Sequence, residues 1–327
     1  MAEYQNSPRD AVRERVAPSK NPREEAVIDV RDLRMRYGTT DALRGVDFTV
    51  RRGEVVTLLG PNGAGKTTVV EILEGFRKRS AGEVSVLGTD PEQADERWRA
   101  GVGVVLQSWR DHNKWRVREL LTHLGSYYGR YSTTEVSRPW NTDELIDVVG
   151  LNDHADKRIG SLSGGQRRRL DVATGIVGKP ELLFLDEPTA GFDPQARHEF
   201  HELVRDLSGA ETTILLTTHD LDEAEKLGDR VLILVGGRLV ADAPTGELSE
   251  RVSAEAEVRW RLFGQRFTHV TAEPTRFVRE LFAEHGEAVE DLEVRRAGLE
   301  EIYLSVVRDV EAGRTETAVR ELAEVMR

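Results

Sequence analysis

The 327 residues carry a formal charge of -12 and 39% hydrophobic side chains, a length that allows about two domains and an apolar content sufficient for each to bury a core. The acidic balance argues against broad nucleic-acid binding, so any anionic ligand must be caught at a specific site. Cysteine is absent, which excludes disulfides, thiolate nucleophiles and thiolate metal sites and suits a reducing interior.

The first 25 residues, MAEYQNSPRDAVRERVAPSKNPREE, are charged and proline-bearing without an apolar segment, and read as a flexible leader rather than a signal or anchor. Apolar runs such as VVTLLG and VLILV fall far short of the ~20 residues of a spanning helix, so the chain is expected not to cross a membrane. From residue 26 the pattern turns strand-like (AVIDVRDLRMRYG, then GVDFTVRRGEVVTLLG), and GKTTVVEILEGF switches to helical spacing with Val69, Val70, Leu73 and Phe76 on one side. Short apolar strands recur at VGVVLQ, ELLFLDEP, TTILLTTHD and RVLILVGGRLV between polar helical segments, which predicts an α/β sheet domain over residues 26–250. Within it, residues 110–170 read as a helical subdomain. There Val117, Leu120, Leu121, Leu124, Tyr128 and Tyr131 follow helical spacing as core residues, and Asn141 with Glu144 resembles an N-terminal capping pair. Beyond residue 250, AEAEVRWRLF alternates, TRFVRELFAEHG is helical, AVEDLEVRRA alternates and LEEIYLSVV is helical, predicting a small α+β domain over 251–327. The terminal Val319, Leu322 and Met326 share a helical face suited to an intramolecular contact.

The chemistry concentrates in the first domain. GPNGAGKTT at 60–68 fits G-x-x-x-x-G-K-[ST]: Gly60, Gly63 and Gly65, with Pro61, Asn62 and Ala64 between them, turn backbone amides towards phosphate oxygens, and Lys66 reaches the β and γ groups. Thr67 is placed to hold Mg²⁺, with Thr68 beside it. LLFLDEP ends an apolar strand in adjacent acids, of which Asp186 can orient Mg²⁺ through water and Glu187 can polarise an attacking water. Gln107 and His219 end two further apolar strands, and ligands of open α/β sheets bind outside such ends. His219 is thereby placed to contact a γ-phosphate. His198 and His201 have metal-pair spacing, but lack an evident third ligand and are expected on a solvated helix face. A second anion-favouring stretch, SLSGGQRRRL at 161–170, opens a basic helix with Ser163, Gly164, Gly165 and Gln166 at its start.

The phosphate loop, Gln107, LSGGQ at 162–166, LLFLDEP at 182–188, AGFD at 190–193 and His219, in that order, resemble the ATP-binding cassette family over about residues 27–250. The resemblance implies an ABC-type phosphate-loop NTPase, α/β with a mixed core sheet and helical subdomain, using ATP and Mg²⁺, with Lys66, Gln107, Glu187 and His219 as its catalytic set. It also implies that Tyr37 stacks on adenine, although an aromatic there suits a core equally well. Two copies would meet head to tail, with Ser163, Gly164 and Gly165 of one capping the γ-phosphate held by the other. ATP would then close the dimer and hydrolysis open it. AGFD keeps Asp193 but departs from the family's usual residues at Ala190 to Phe192. TAGFDP, THDLDEAEKLGDRVLIL, GGRLVADAP and GLEEIYLSVV are most similar to daunorubicin-resistance-type exporter subunits. In that group the permease is a separate polytopic protein, the cassette lies at the cytoplasmic face of the membrane, and an accessory domain follows it. SWRDHNKWRV would then help receive the permease through Trp109 and Trp115, although both tryptophans suit burial in the helical subdomain as well. A soluble cassette ATPase working on ribosomes or nucleic acid is the alternative; paired cassettes or long heptad coils, its usual features, are absent from the sequence.

Overall fold

The computed structural model describes residues 26–105, 112–208, 212–245, 247, 256–296, 303–304, 307–310, 312–316 and 319–320. The expected leader, Gln107, Trp109, Leu322 and Met326 lie outside the described residues. The chain divides into two units between Leu239 and Val240.

In the first unit, β1 (Ala26–Tyr37) and β2 (Thr40–Arg51) pair antiparallel, β3 (Val55–Leu59) leads into α1 (Lys66–Leu73), and β4 (Ala81–Val86) joins the other side of β1. Then follow α2 (Glu96–Ala100), β5 (Val102–Val105), α3 (Val117–Gly125), α4 (Thr142–Val148), α5 (Gly164–Ile176), β6 (Leu182–Asp186) and α6 (Pro194–Ser208). The unit continues with β7 (Thr213–Thr218), α7 (Leu221–Leu227), β8 (Arg230–Val235) and the start of β9 (Arg238–Pro244). The large sheet has the order β5-β6-β7-β3-β8-β9, with β5 through β8 in that order paired in parallel. Parallel strands are covered on both faces and must be apolar on both. Successive residues accordingly enter different cores. Val55, Leu183, Leu185, Ile214 and Leu216 pack with α3, α4, α5 and α6, whereas Val56, Leu58, Leu182, Phe184 and Leu215 pack with α1 and the antiparallel sheet.

Two stretches differ from what their sequence predicts. Phe76 does not share the buried face of α1: the helix stops at Leu73, the Phe76 and Arg77 amides both donate back to the Glu71 carbonyl, and Phe76 is 71% exposed. The stripe from Val117 also divides. Val117, Leu120 and Leu121 are buried on α3, but Ser126 caps that helix by donating to the His123 carbonyl, so Tyr128 and Tyr131 lie beyond it. Tyr128 still packs on the core, while Tyr131 donates its hydroxyl to Glu96. Asn141 does cap α4, accepting from the Asp143 and Glu144 amides.

The second unit contains β10 (Ala256–Leu262), β11 (Gln265–Thr271), α8 (Pro274–His285) and β12 (Val289–Arg296), with antiparallel order β11-β10-β12. β11 is absent from the sequence reading because its side chains lie largely in solvent. It is set by a two-residue turn in which Phe263 and Gly264 both have positive φ (50° and 78°), the geometry that matches strand twist. Among the described residues no helix is long and apolar enough to cross a membrane.

Candidate functional site

β3 ends at Leu59 and the chain enters the glycine loop directly, with α1 beginning at Lys66. The Gly60 amide donates to the Thr218 carbonyl, stitching the loop to the end of β7. A Cβ on Gly60 would stand 2.3 Å from the Leu234 carbonyl oxygen, and one on Gly65 (φ 108°) 2.8 Å from Leu43 Cδ2. Crowding beneath the loop therefore demands glycine at both ends. Lys66 is buried and its Nζ donates to the carbonyls of Gly60 and Pro61 at 2.7 and 3.3 Å. Burial pulls its ammonium below the ordinary lysine range, while Glu187 and Asp186 pull the other way. Asn62, Gly63 and Thr67 are exposed around it; Ala64 is buried. Thr68 Oγ1 lies 3.4 Å from the hydroxyl of Tyr37, a residue that is 40% exposed and whose ring is faced by the Arg77 guanidinium at 5.1 Å. Tyr37 is thus a rim residue rather than core.

Because β6, β7 and β3 are parallel neighbours, their carboxyl ends converge beside this loop. Asp186 pairs across to Thr217, whose hydroxyl donates to Asp186 Oδ1 at 2.6 Å and accepts from the Glu187 amide at 3.0 Å. Glu187 has φ 40°, a left-handed conformation unusual for a side-chain-bearing residue. Its Oε1 sits 3.5 Å from Lys66 Nζ and 3.6 Å from His219 Nδ1. Lys66, Asp186, Glu187 and His219 therefore form one cluster, open on the His219 side, where the side chain is 53% exposed.

The signature stretch stands apart. Ser163 Oγ accepts from the Gln166 amide and Gln166 Oε1 from the Ser163 amide, a reciprocal cap that exposes the start of α5. A cavity of about 420 Å³ is lined by Ser163, Gly164, Gly165 and Gln166 on one side and Gly191 to Asp193 on the other, with no residue from the phosphate loop in its lining. Asp193 caps α6 by accepting from the Ala196 amide, and Phe192 is held edge-on to Phe200.

Four residues escape sequence reading. Thr217 and Thr218 end β7 as a hydroxyl pair, a pattern whose meaning depends on which neighbours flank the strand. Glu223 is 2% exposed and accepts from Thr189 and Thr218. Burial drives its carboxyl upward, but the nearby His201 ring and the bonds from the Thr189 and Thr218 hydroxyls prevail and hold it below the usual range. Glu74, at the end of α1, is pushed up to about 8 by burial and by the charges of Asp186 and Glu71. The expectation of a solvated histidine pair fails by half: His198 is exposed, but His201 is 3% exposed, its Nε2 3.8 Å from Glu223 Oε1. The helix turns those two positions to different surroundings. Trp115 is half-buried on the core, between the rings of His112 and His123.

Exposed loop residues, a buried cation and an ordered carboxylate fit a phosphate-bearing ligand. The Asp186 carboxylate, of which Thr217 takes only Oδ1, also suits Mg²⁺, which takes one or two carboxylates and completes its shell with phosphate oxygens and water. The family model described as ABC transporter matches residues 43–190. A Nod factor export ATP-binding protein I of Neorhizobium galegae is 40% identical over 76% of this chain and 70% of its own length. The daunorubicin resistance ATP-binding protein DrrA3 of Streptomyces coeruleorubidus is 35% identical over 87% and 97%. The structure of cbiO1 from Clostridium perfringens, part of an ABC transporter complex, is 27% identical with a TM-score of 0.60, covering 68% of this chain and 90% of its own. The phosphate loop, the paired acids and the signature helix thus lie in a fold and a sequence shared with these proteins, and the chain belongs to the ABC transporter family as an ATP-binding ATPase.

Proposed function

We propose that this chain is the ATP-hydrolysing subunit of an exporter whose membrane permease is a separate polypeptide, and that two copies close head to tail on ATP. The observation that supports this reading is the separation of the signature cavity from the phosphate loop within one chain, since no residue of that loop lines the cavity and a second copy would bring the two together. The export names of the relatives support the cargo direction, and the similarity to DrrA3 along nearly its whole length supports an accessory role for residues 251–327.

In this reading Tyr37 borders the adenine, Gly60 to Thr68 cradle the phosphates, and Lys66 leaves its loop carbonyls to meet the β and γ oxygens. Thr67, Asp186 and Gln107 would hold Mg²⁺, which supplies charge neutralisation at the phosphates when bound. Glu187 accepts a proton from the attacking water, and His219 orients the γ-phosphate beside it. Ser163, Gly164, Gly165 and Gln166, with Asp193 across the cavity, meet the partner's γ-phosphate. The start of α5 favours that anion by about 0.3–2 kcal/mol. The permease docks near Trp115 and Trp109, which places the chain peripherally at the cytoplasmic face of the membrane.

Affinity purification of tagged Glu187→Gln protein with ATP, from detergent-solubilised cells of its own source, tests the reading. A co-purifying polytopic membrane protein is expected. Ribosomal or DNA-associated proteins without a membrane partner would favour the soluble-machine alternative.

A further inference from the structure

Glu223 stands in the first turn of α7, outside the nucleotide motifs, and is 2% exposed. A carboxylate buried so fully is costly unless its lone pairs are taken up. Its two oxygens are divided between a loop and a strand end: Oε1 accepts from Thr189 Oγ1 at 2.6 Å, and Oε2 accepts from Thr218 Oγ1, at the end of β7, at 2.5 Å. Thr189 lies two residues after Glu187, and Thr218 directly precedes His219. Both hydroxyls are themselves buried. The knot is closed further by the Asp220 amide, which donates to Thr218 Oγ1, and by Asp220 Oδ1, which accepts from the Glu223 amide. Successive strand residues face opposite ways, so Thr217 serves Asp186 and the Glu187 amide while Thr218 serves Glu223. The end of β7 is thus fastened on both sides to the segment that carries Glu187.

We propose that Glu223 is a positioning residue for hydrolysis, its buried carboxylate tying the loop that follows Glu187 to the strand end that carries His219. The tie holds the two side chains at their 3.6 Å separation. The inference rests on the reading of Glu187 as the base. An apolar residue would fill the same space without choosing a distance, whereas two charge-assisted bonds to hydroxyls on different segments set one. Displacement of a reacting group by about 1 Å can cost on the order of 100-fold in rate, so loss of the tie should appear in turnover before it appears in nucleotide affinity.

The test uses the full chain and compares Glu223→Gln, Thr189→Val, Thr189→Ser and the Glu223→Gln/Thr189→Val double variant by steady-state ATP hydrolysis, fluorescent-nucleotide binding and thermal melting. Thr189→Val keeps the side-chain shape and remains informative if Glu223→Gln does not fold. The two disruptive variants should each lose about tenfold or more in kcat with KM within about twofold. The double variant should be no slower than the slower single one, because both remove the same tie. Thr189→Ser, which keeps the hydroxyl, should restore most of the rate. Native kcat in Glu223→Gln and Thr189→Val with only a lowered melting temperature would overturn the proposal, as would losses that multiply in the double variant. Glu187→Gln run alongside separates the two claims: native turnover there removes the base and this proposal together, while slow turnover there with native turnover in the others removes this proposal alone.

Discussion

At the scale of single residues, the acidic pair after β6 shows how position divides two similar side chains. Asp186 is still in the strand and is held by Thr217, whereas Glu187 has left it in a left-handed conformation, φ 40°, that costs about 1–3 kcal/mol and swings its carboxylate between Lys66 and His219. Glu187→Gln keeps the shape but cannot take a proton, so it should bind ATP and lose about 10²–10⁴ in phosphate release. Native release rates would sink the assignment. Glu74 gives a prediction in stability. Its carboxyl has an ordinary value of 4.5 and rises to about 8 in the folded chain, chiefly through burial. Between these values the folded state keeps a proton that the unfolded state has released, so stability falls as pH rises through the window and levels above it. A tenfold difference in proton affinity between the two states is worth about 1.4 kcal/mol. Urea unfolding in EDTA at pH 5 and pH 8 should therefore show a smaller loss for Glu74→Gln than for the native chain. An equal loss in both would show that Glu74 does not titrate there. Asp171, raised to about 6 by burial, contributes the same sign to both proteins.

At the scale of elements, α5 carries two roles at one end. Ser163 caps the helix through the Gln166 amide, and the same N-terminus is the surface proposed for the partner's phosphate. Ser163→Asp separates these roles, because aspartate caps about as well as serine but brings a negative charge to the anion-facing end. The variant should melt within about 0.5 kcal/mol of the native chain and fail to pair on ATP. Pairing at native strength would show that no phosphate approaches this helix. Strand β6 teaches the complementary lesson: LLFLD is legible as a strand because it is apolar on both faces, and its two cores follow from the pleat alone.

At the scale of the whole molecule, the proposed reading makes ATP a component of the dimer interface. Purified Glu187→Gln protein should shift from monomer towards dimer as ATP is raised, measured by light scattering, and Lys66→Ala should stay monomeric because phosphate binding is lost. A monomer at every ATP concentration would count against self-pairing without the permease. Linked to this is the net charge of -12, which both copies share and which gives no general attraction between them. Specific contacts at the nucleotide must supply the closure.

Much of the fold and most of the candidate cluster are legible from the residues alone. Backbone amides need glycine to reach phosphate, parallel strands need apolar side chains on both faces, and a polar residue ending such a strand has few other reasons to be there. Lys66, Asp186, Glu187 and His219 were legible on those grounds, as was the helix start at Ser163. Tertiary structure alone decided which strand ends are neighbours. The order β6-β7-β3 brings Thr217 to Asp186 and the Gly60 amide to Thr218, and the packing of α6 and α7 buries His201 and Glu223 together. Those partners are 30 or more positions apart for Thr217 and far more for Gly60. No local pattern encodes such pairings, because a side chain's role depends on the dielectric and the partners around it, and both are set only when distant segments pack.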